Sequence, residues 1–212
     1  IGTGTLTQSA VSTIQIDGNS AVLGGTGVIA LNATGSLYIT PNCVTTLTSN
    51  KTINSGTFTV DGTLMCSTNL VMGSAAFTLS SGATLGIGSP QGITPFASGA
   101  VGNIQVTNTR SYNTAANYIY NSTSANQVTG LGLPVTIVSP GSLTISNTGT
   151  VGNNTVTLTT NNTTTPTLNL ANGLFEAGTS QLLLITATGT VNGTGGNQGL
   201  SAAAGTIRFV GS

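Results

Sequence analysis

The most constraining feature of this sequence is a short apolar alternation that recurs along its length. In each copy two apolar residues flank a single residue, and Gly, Asn or Ser follows within a few positions. The copies are Ile14-x-Ile16, Leu37-x-Ile39, Phe58-x-Val60, Phe77-x-Leu79, Leu85-x-Ile87, Ile104-x-Val106, Tyr118-x-Tyr120, Leu143-x-Ile145, Val156-x-Leu158 and Leu168-x-Leu170. Each is typical of a short strand with one buried face. The first four copies begin at irregular intervals near twenty, which is the length of one solenoid coil.

Antiparallel hairpins packed as a β-sandwich would also give many short strands, and hairpin-type dipeptides occur at Asp17-Gly18 and Asp61-Gly62. The outward positions separate the two folds. They are nearly all Thr, Ser and Asn, in a chain with three Lys or Arg, three Asp or Glu and no His. Like charges would repel at the ~4.8 Å strand spacing of a solenoid, whereas stacked Thr, Asn and aliphatic side chains cooperate. We therefore predict an all-β parallel β-solenoid (β-helix), with an antiparallel β-sandwich as the alternative.

The same texture extends over residues 1–212 without a Pro-rich, Ser-rich or charged linker, which predicts a single continuous solenoid segment. At roughly 21 residues per coil the chain would make about ten coils. Both ends are strand-like and carry no capping element. We therefore expect an internal fragment of a longer chain, whose immediate partners are neighbouring coils or repeats of that chain.

The charge pattern argues against two classes of partner. The formal net charge is zero, and neither nucleic acid nor an anionic membrane surface is bound without clustered Lys or Arg. The longest apolar run, residues 182–185, is far shorter than the roughly 20 residues of a membrane-spanning helix. We expect no nucleic-acid binding and no membrane insertion.

The residue inventory also argues against an enzyme. Without His, neither a Ser-His-Asp nor a Cys-His arrangement can form, and zinc loses its usual nitrogen ligand. The acidic residues Asp17, Asp61 and Glu176 are assigned to three distant coils. Asp17 and Asp61 are separated by about two coil lengths, so they could share one edge at a distance of ~10 Å. Turn formation explains them better than a catalytic pair, and we predict no catalytic residues, cofactor or metal.

Two cysteines allow two interpretations. The separation of Cys43 and Cys66 along the chain equals that of Ile14 and Leu37, the first coil period. They could stack on neighbouring coils and form a disulfide in an oxidising compartment. The alternative is that both are small apolar side chains of the solenoid core.

The aromatic and threonine residues suggest candidate binding faces. Tyr112, Tyr118 and Tyr120, with Arg110 beside them, could stack on sugar rings, although Tyr118 and Tyr120 point to the same side of a strand and burial of both is the favoured alternative. Thr-x-Thr triplets on a flat solenoid face resemble ice-binding surfaces. The triplets are Thr5-Leu6-Thr7, Thr46-Leu47-Thr48, Thr57-Phe58-Thr59, Thr155-Val156-Thr157 and Thr165-Pro166-Thr167.

From residue 81 onward the sequence contains more specific motifs. They are, in order, Asn-Ile-Gln-Val-Thr from residue 103, Arg-x-Tyr-Asn from 110, Ala-Asn-Tyr-Ile-Tyr-Asn from 116 and Gln-Val-Thr-Gly-x-Gly-Leu-Pro from 127, with residues 85–94 and 205–210 in the same style. This order resembles the repeat regions of giant Bacteroidetes cell-surface proteins exported by the type IX secretion system, among them gliding-motility adhesins. The resemblance implies a secreted protein on the outer-membrane exterior and no catalytic residues. It also implies surface glycans or the secretion and motility machinery as partners.

Taken with the solenoid prediction, the resemblance gives a functional hypothesis. The chain would be a structural or adhesive segment of a large secreted cell-surface protein, a stiff extracellular rod for surface attachment or gliding. The alternative is a glycan- or ice-binding solenoid that uses its Tyr or Thr faces.

Overall fold

The strands of this chain pair in parallel, one coil above the next. The computed structural model describes residues 2–164, 167–179, 181–185, 190–193 and 198–210. Every pairing between named strands in this part of the chain is parallel. The predicted all-β parallel β-solenoid is thereby confirmed over the antiparallel sandwich.

The first five coils each contribute one strand to each of three sheets. Sheet 1 contains β1 (Thr5–Thr7), β4 (Val28–Ala30), β7 (Lys51–Asn54), β10 (Val71–Gly73) and β13 (Ile104–Val106). Sheet 2 contains β2 (Thr13–Ile16), β5 (Ser36–Ile39), β8 (Thr57–Val60), β11 (Ala76–Leu79) and β14 (Arg110–Tyr112). Sheet 3 begins with β3 (Ala21–Leu23), β6 (Val44–Leu47), β9 (Thr63–Met65), β12 (Thr84–Ile87) and β15 (Asn117–Tyr120).

Beyond the fifth coil, sheet 3 continues while sheets 4 and 5 replace the other two. Sheet 3 goes on through β18 (Ser142–Ser146), β21 (Thr167–Glu176) and β23 (Thr190–Gly193). Sheet 4 contains β16 (Gln127–Val128), β19 (Thr155–Thr157), the second half of β21 and β24 (Gln198–Ser201). Sheet 5 contains β17 (Thr136–Ile137), β20 (Asn162–Thr164), β22 (Leu182–Ile185) and β25 (Thr206–Phe209).

The spacing of the apolar alternations along the sequence matches the pairing register of the strands. Ile14 pairs with Leu37, Leu37 with Phe58 and Phe58 with Phe77, so the intervals between the apolar alternations are successive coil lengths. The described strands make eight three-stranded coils and a two-stranded ninth, fewer than the predicted ten. The difference arises because later coils are longer than the predicted period. Phe77 pairs with Arg110 across residues 88–103, and Tyr118 pairs with Leu143 and Gln127 with Val156.

The core is a set of side-chain columns that run along the axis. Because side chains alternate across a strand, in-register pairing places each inward residue above the inward residue of the coil below. One column, the interior ladder, consists of Ile14, Leu37, Phe58, Phe77 and Arg110. Phe58 and Phe77 are fully buried, and their rings meet edge to face at 5.7 Å. The β-branched Thr and Val that fill the strands suit this pleated, half-buried wall.

An insertion in the chain lies against the end of sheets 1 and 2. Residues 88–103, with a short 3₁₀ turn at Phe96–Ser98, lie between β12 and β13. The insertion contacts the sixth coil, since the Ile93 amide donates to the Thr129 carbonyl (3.3 Å) and the Gly132 amide donates to the Ile93 carbonyl (2.9 Å). Gly130 packs so tightly here that a Cβ on it would lie 2.1 Å from the Ile93 carbonyl oxygen, and its φ is +76°. Of the first three sheets, sheet 3 alone continues from the fifth coil into the sixth, through the pairing of β15 with β18.

The interior ladder predicts where truncation should be costly. We expect Phe77→Ala to lower the free energy of unfolding by about 3–5 kcal/mol, because it opens a cavity between stacked rings. Thr78→Ala, next to it and facing outward, should cost about 0.5 kcal/mol or less. Urea unfolding followed by circular dichroism measures both. Equal losses in the two variants would contradict the stacked core.

Candidate functional site

A notch lies at the corner where sheet 2 passes into sheet 3. In the second and fourth coils this corner has four residues, 40–43 and 80–83, whereas in the third coil it has two, Asp61 and Gly62. The short corner is therefore recessed between two longer ones. The resulting cavity has a volume of about 530 Å³. Its lining residues are Pro41, Asn42, Asp61, Gly62, Thr63, Ser80, Ser81 and Gly82.

Gly62 allows the recess. A Cβ at this position would lie 2.3 Å from the Thr40 carbonyl oxygen and 2.5 Å from that of Cys43. Such distances are far inside van der Waals contact, so a side chain would push the third corner outward. Asp61-Gly62, which looks like a hairpin dipeptide in the sequence, is instead the tight corner of a solenoid coil.

Asp61 provides the negative charge at the floor of the notch. Its carboxylate accepts a hydrogen bond from the Tyr38 hydroxyl at 2.6 Å and another from the Ser80 hydroxyl. Tyr38 belongs to the second coil and Ser80 to the fourth, so Asp61 links three successive coils. The hydrogen bond to Asp61 raises the pKa of Tyr38 above its ordinary value. Tyr38 therefore stays a hydrogen-bond donor to Asp61 to a higher pH than an isolated tyrosine would.

The three acidic residues are not brought together. Extending the register of β2, β5 and β8 by one residue puts Asp17, Thr40 and Asp61 in one column. The two aspartates thus share an edge about 10 Å apart, as the spacing predicted, with Thr40 between them. Glu176 lies in β21, several coils away. Among the described residues no three His, Cys, Asp or Glu side chains form a group that could hold a metal ion.

Arg110 is an interior residue and not a surface one. It follows Phe77 in the interior ladder, on the next coil, and is 7% exposed. Its guanidinium donates to the backbone carbonyls of Thr94 (2.9 Å), Pro95 (2.6 Å), Val106 (2.5 Å) and Gly99. Three of these acceptors belong to the insertion, which Arg110 therefore fastens to the fifth coil.

The tyrosines do not form a sugar-stacking platform. Tyr118 and Tyr120 are fully buried, and their hydroxyls donate to the carbonyls of Asn113 and Thr129, each at 2.7 Å. Tyr112 is half-buried and contacts Phe77 at 5.9 Å between ring centroids. The suggested glycan contact by these tyrosines and Arg110 is thus wrong, because β14 and β15 turn all four side chains into the core or against the insertion.

The two cysteines are free and buried. Thr46 pairs with Met65, so Cys66 lies opposite Leu47, four positions along the strand from Cys43. Four positions span roughly 13 Å, beyond the reach of a disulfide. The suggested bridge assumed that the first coil period also holds here, whereas Val44 pairs with Thr63 and this coil is shorter. Burial raises the pKa of the Cys66 thiol to about 12, which keeps it protonated.

The threonine triplets lie on different sheets. Thr5 and Thr7 belong to sheet 1, Thr57 and Thr59 to sheet 2, and Thr155 and Thr157 to sheet 4. Thr46-Leu47-Thr48 lies at sheet 3, and residues 165 and 166 of the last triplet lie outside the described residues. The described triplets therefore do not combine into a single array.

Sequence reasoning overlooked two residues. Lys51 is fully buried, and its Nζ donates to the carbonyls of Gly24 (2.8 Å), Gly25 (2.5 Å) and Gly27 (3.5 Å). Burial lowers its pKa. The signal in the sequence is the alternation Lys51-x-Ile53, which puts Lys51 on the same side of the strand as an apolar residue. In the structure Lys51 pairs with the buried Val71. Tyr38 was overlooked because it is the outward residue of an apolar alternation, and its partner Asp61 is one coil away.

Comparison of the chain with protein-family models, with curated proteins and with solved structures found no match. None of the described helical segments is long and apolar enough to cross a membrane.

The Arg110 contacts predict a large effect of removing one charge. Arg110→Ala would remove the four hydrogen bonds of the guanidinium group and leave a cavity between the insertion and the fifth coil, and we expect a loss of about 3 kcal/mol or more in the free energy of unfolding. Arg208→Ala, on the exposed face of β25, is the matched control and should change stability by about 0.5 kcal/mol or less. Chemical denaturation of both variants tests this. Comparable behaviour of the two would show that the insertion does not depend on Arg110.

The buried tyrosines predict a loss of stability in alkali. Burial raises the pKa values of Tyr112, Tyr118 and Tyr120 above the ordinary value of 10.0. The folded chain therefore keeps these protons when the unfolded chain releases them, so the stabilisation is complete below pH 10 and declines as the pH rises above it. Unfolding free energies measured from pH 9 to 11 should fall, and less steeply for Tyr120→Phe. A flat profile would contradict the buried positions.

Proposed function

We propose that this chain is a structural or adhesive segment of a large secreted bacterial cell-surface protein, and that it acts as a stiff extracellular rod for surface attachment or gliding. The observation that carries the proposal is the unbroken parallel ladder of sheet 3, from β3 to β23. Its eight strands are separated by seven spacings of ~4.8 Å and extend about 34 Å along the axis. Bending such a segment would strain backbone hydrogen bonds and packed side-chain columns together.

The distribution of charge supports an exposed role. Two of the three cationic side chains, Lys51 and Arg110, are buried against backbone carbonyls. The outward wall therefore has almost nothing that salt could screen or that moderate pH could titrate. Outside the cell, neither the salt concentration nor the pH is regulated. The stiffness of this segment would depend little on either.

The resemblance to type IX secretion repeat regions supports the export part of the proposal. The motifs that carry it include Arg110, Tyr112 and residues 127–134, which contact or adjoin the insertion at residues 88–103. The shared motifs would then encode a shared structure, in which an insertion of this kind packs against the coils of a solenoid. The proposal places the chain on the outer-membrane exterior of a bacterium that has this secretion system.

A replacement experiment in the full-length protein tests the rod. Deleting residues 2–210 should reduce surface attachment of the cells, and an unrelated rigid solenoid of similar length should restore it. A Gly/Ser linker with the same number of residues is the control and should not restore it, since such a linker is a flexible coil. Restoration by the flexible linker, or failure of the rigid replacement, would argue against a mechanical role.

Labelling of intact cells tests the location. Antibodies against this chain should label unpermeabilised cells, and external protease should remove the signal while a cytoplasmic marker stays intact. Inactivating the type IX system should retain the chain inside the cell. Labelling that requires permeabilisation would refute surface display.

A further inference from the structure

The geometry of the notch points to a site for a neutral carbohydrate, with Asp61 as the acceptor of sugar hydroxyl groups. This goes beyond a mechanical role, because a spacer needs no ligand. The cavity of about 530 Å³ lies in the range of about 300–1,000 Å³ that small-molecule sites occupy. Its lining contains one carboxylate and otherwise uncharged residues, mostly Ser, Thr, Asn and Gly.

Several polar groups at the notch are free to bind. The side chains of Asn42, Thr63 and Ser81 make no hydrogen bond within the described part of the chain. Asn42 offers two amide donors and an acceptor, while Thr63 and Ser81 each offer a hydroxyl that donates and accepts. A ligand that is rich in hydroxyl groups can use all of them, which an apolar ligand cannot.

Asp61 is prepared for this role before a ligand arrives. A carboxylate has about four acceptor positions, and Tyr38 and Ser80 use one on each oxygen. The remaining positions can accept hydroxyl hydrogens, and such charge-assisted bonds are stronger than those between neutral groups. Because the two partners come from the coils on either side, the carboxylate is held in one orientation and little ordering remains to be done on binding.

The same features disfavour charged ligands. The carboxylate would repel an acidic sugar, a phosphate or a sulfate. A calcium ion takes six to eight oxygen ligands, usually with several carboxylates, and here a single carboxylate is available whose oxygens already accept from hydroxyl groups. A neutral polyhydroxylated ring is therefore the ligand class that fits the lining.

The column of corner residues provides a matched control. Asp17 occupies the equivalent corner position two coils away and is exposed, but its corner has four residues, 17–20, and does not line the notch. Asp17→Asn therefore removes the same charge from the same edge of the solenoid without altering the notch.

Binding should be measured with the purified chain on an array of neutral and acidic oligosaccharides. The best neutral sugar should then be titrated by isothermal calorimetry up to about 10 mM, the weak end of specific affinity. We expect Asp61→Asn to weaken binding about tenfold or more and Asn42→Ala about threefold to tenfold. Asp17→Asn should bind like the wild type. Thermal melting of each variant checks that it is folded.

A second variant covers the case that Asp61→Asn does not fold. Ser81→Trp fills the notch from its exposed rim and leaves Asp61 and its partners in place, and it should abolish binding. The site is overturned if no neutral sugar binds, if binding survives in both Asp61→Asn and Ser81→Trp, or if acidic sugars or calcium alone bind better than any neutral sugar. Such a result would leave the rod untouched, since that depends on sheet 3 and is tested in cells.

Discussion

In-register parallel stacking is the constraint on which the rest of this structure depends. It places every inward side chain above another inward side chain at strand spacing, so any residue type that cannot tolerate its own kind is excluded. The column Ile14, Leu37, Phe58 and Phe77 satisfies this with aliphatic and aromatic contacts. The same constraint explains the scarcity of charge on the outer wall, because like charges stacked in an outward column would repel one another along the whole rod.

The two buried cations show how the fold accommodates exceptions. Lys51 and Arg110 occupy inward positions, and both direct their hydrogen bonds to backbone carbonyls instead of to acidic side chains. These carbonyls belong to irregular backbone: the Gly24–Gly27 corner for Lys51, and mainly the insertion for Arg110. Irregular segments leave carbonyl groups that no strand neighbour satisfies. A buried cation with several donors can satisfy them at once, which explains how the fold accommodates Lys51 and Arg110 at inward positions.

Contacts between coils of the expected length were predicted from the sequence. Contacts at coils of a different length were not. The pairing of Leu37 with Phe58 and of Phe58 with Phe77 follows from spacing alone. The cysteine bridge failed because the coil that joins β6 to β9 is shorter than the coil that joins β2 to β5, which moves Cys66 four positions past Cys43. The spacing of Tyr118 and Tyr120 predicts that they share one side of a strand, and their burial, the favoured interpretation, is confirmed. The notch could not be predicted from the sequence, because it depends on the difference in length between three successive corners.

Corner length is the variable that this architecture leaves free. A corner lies outside the hydrogen-bonded ladders, so residues can be added or removed there while Val60 still pairs with Ile39 and Leu79. Shortening one corner to Asp61-Gly62 creates a recess, and lengthening the turn after β12 to residues 88–103 creates an insertion. The recess brings polar residues of three coils, among them Asn42, Asp61 and Ser81, to one lining. Loops are where rigid scaffolds carry function, and in a solenoid of this kind a site can arise at a single corner without any change to the core that keeps the rod stiff.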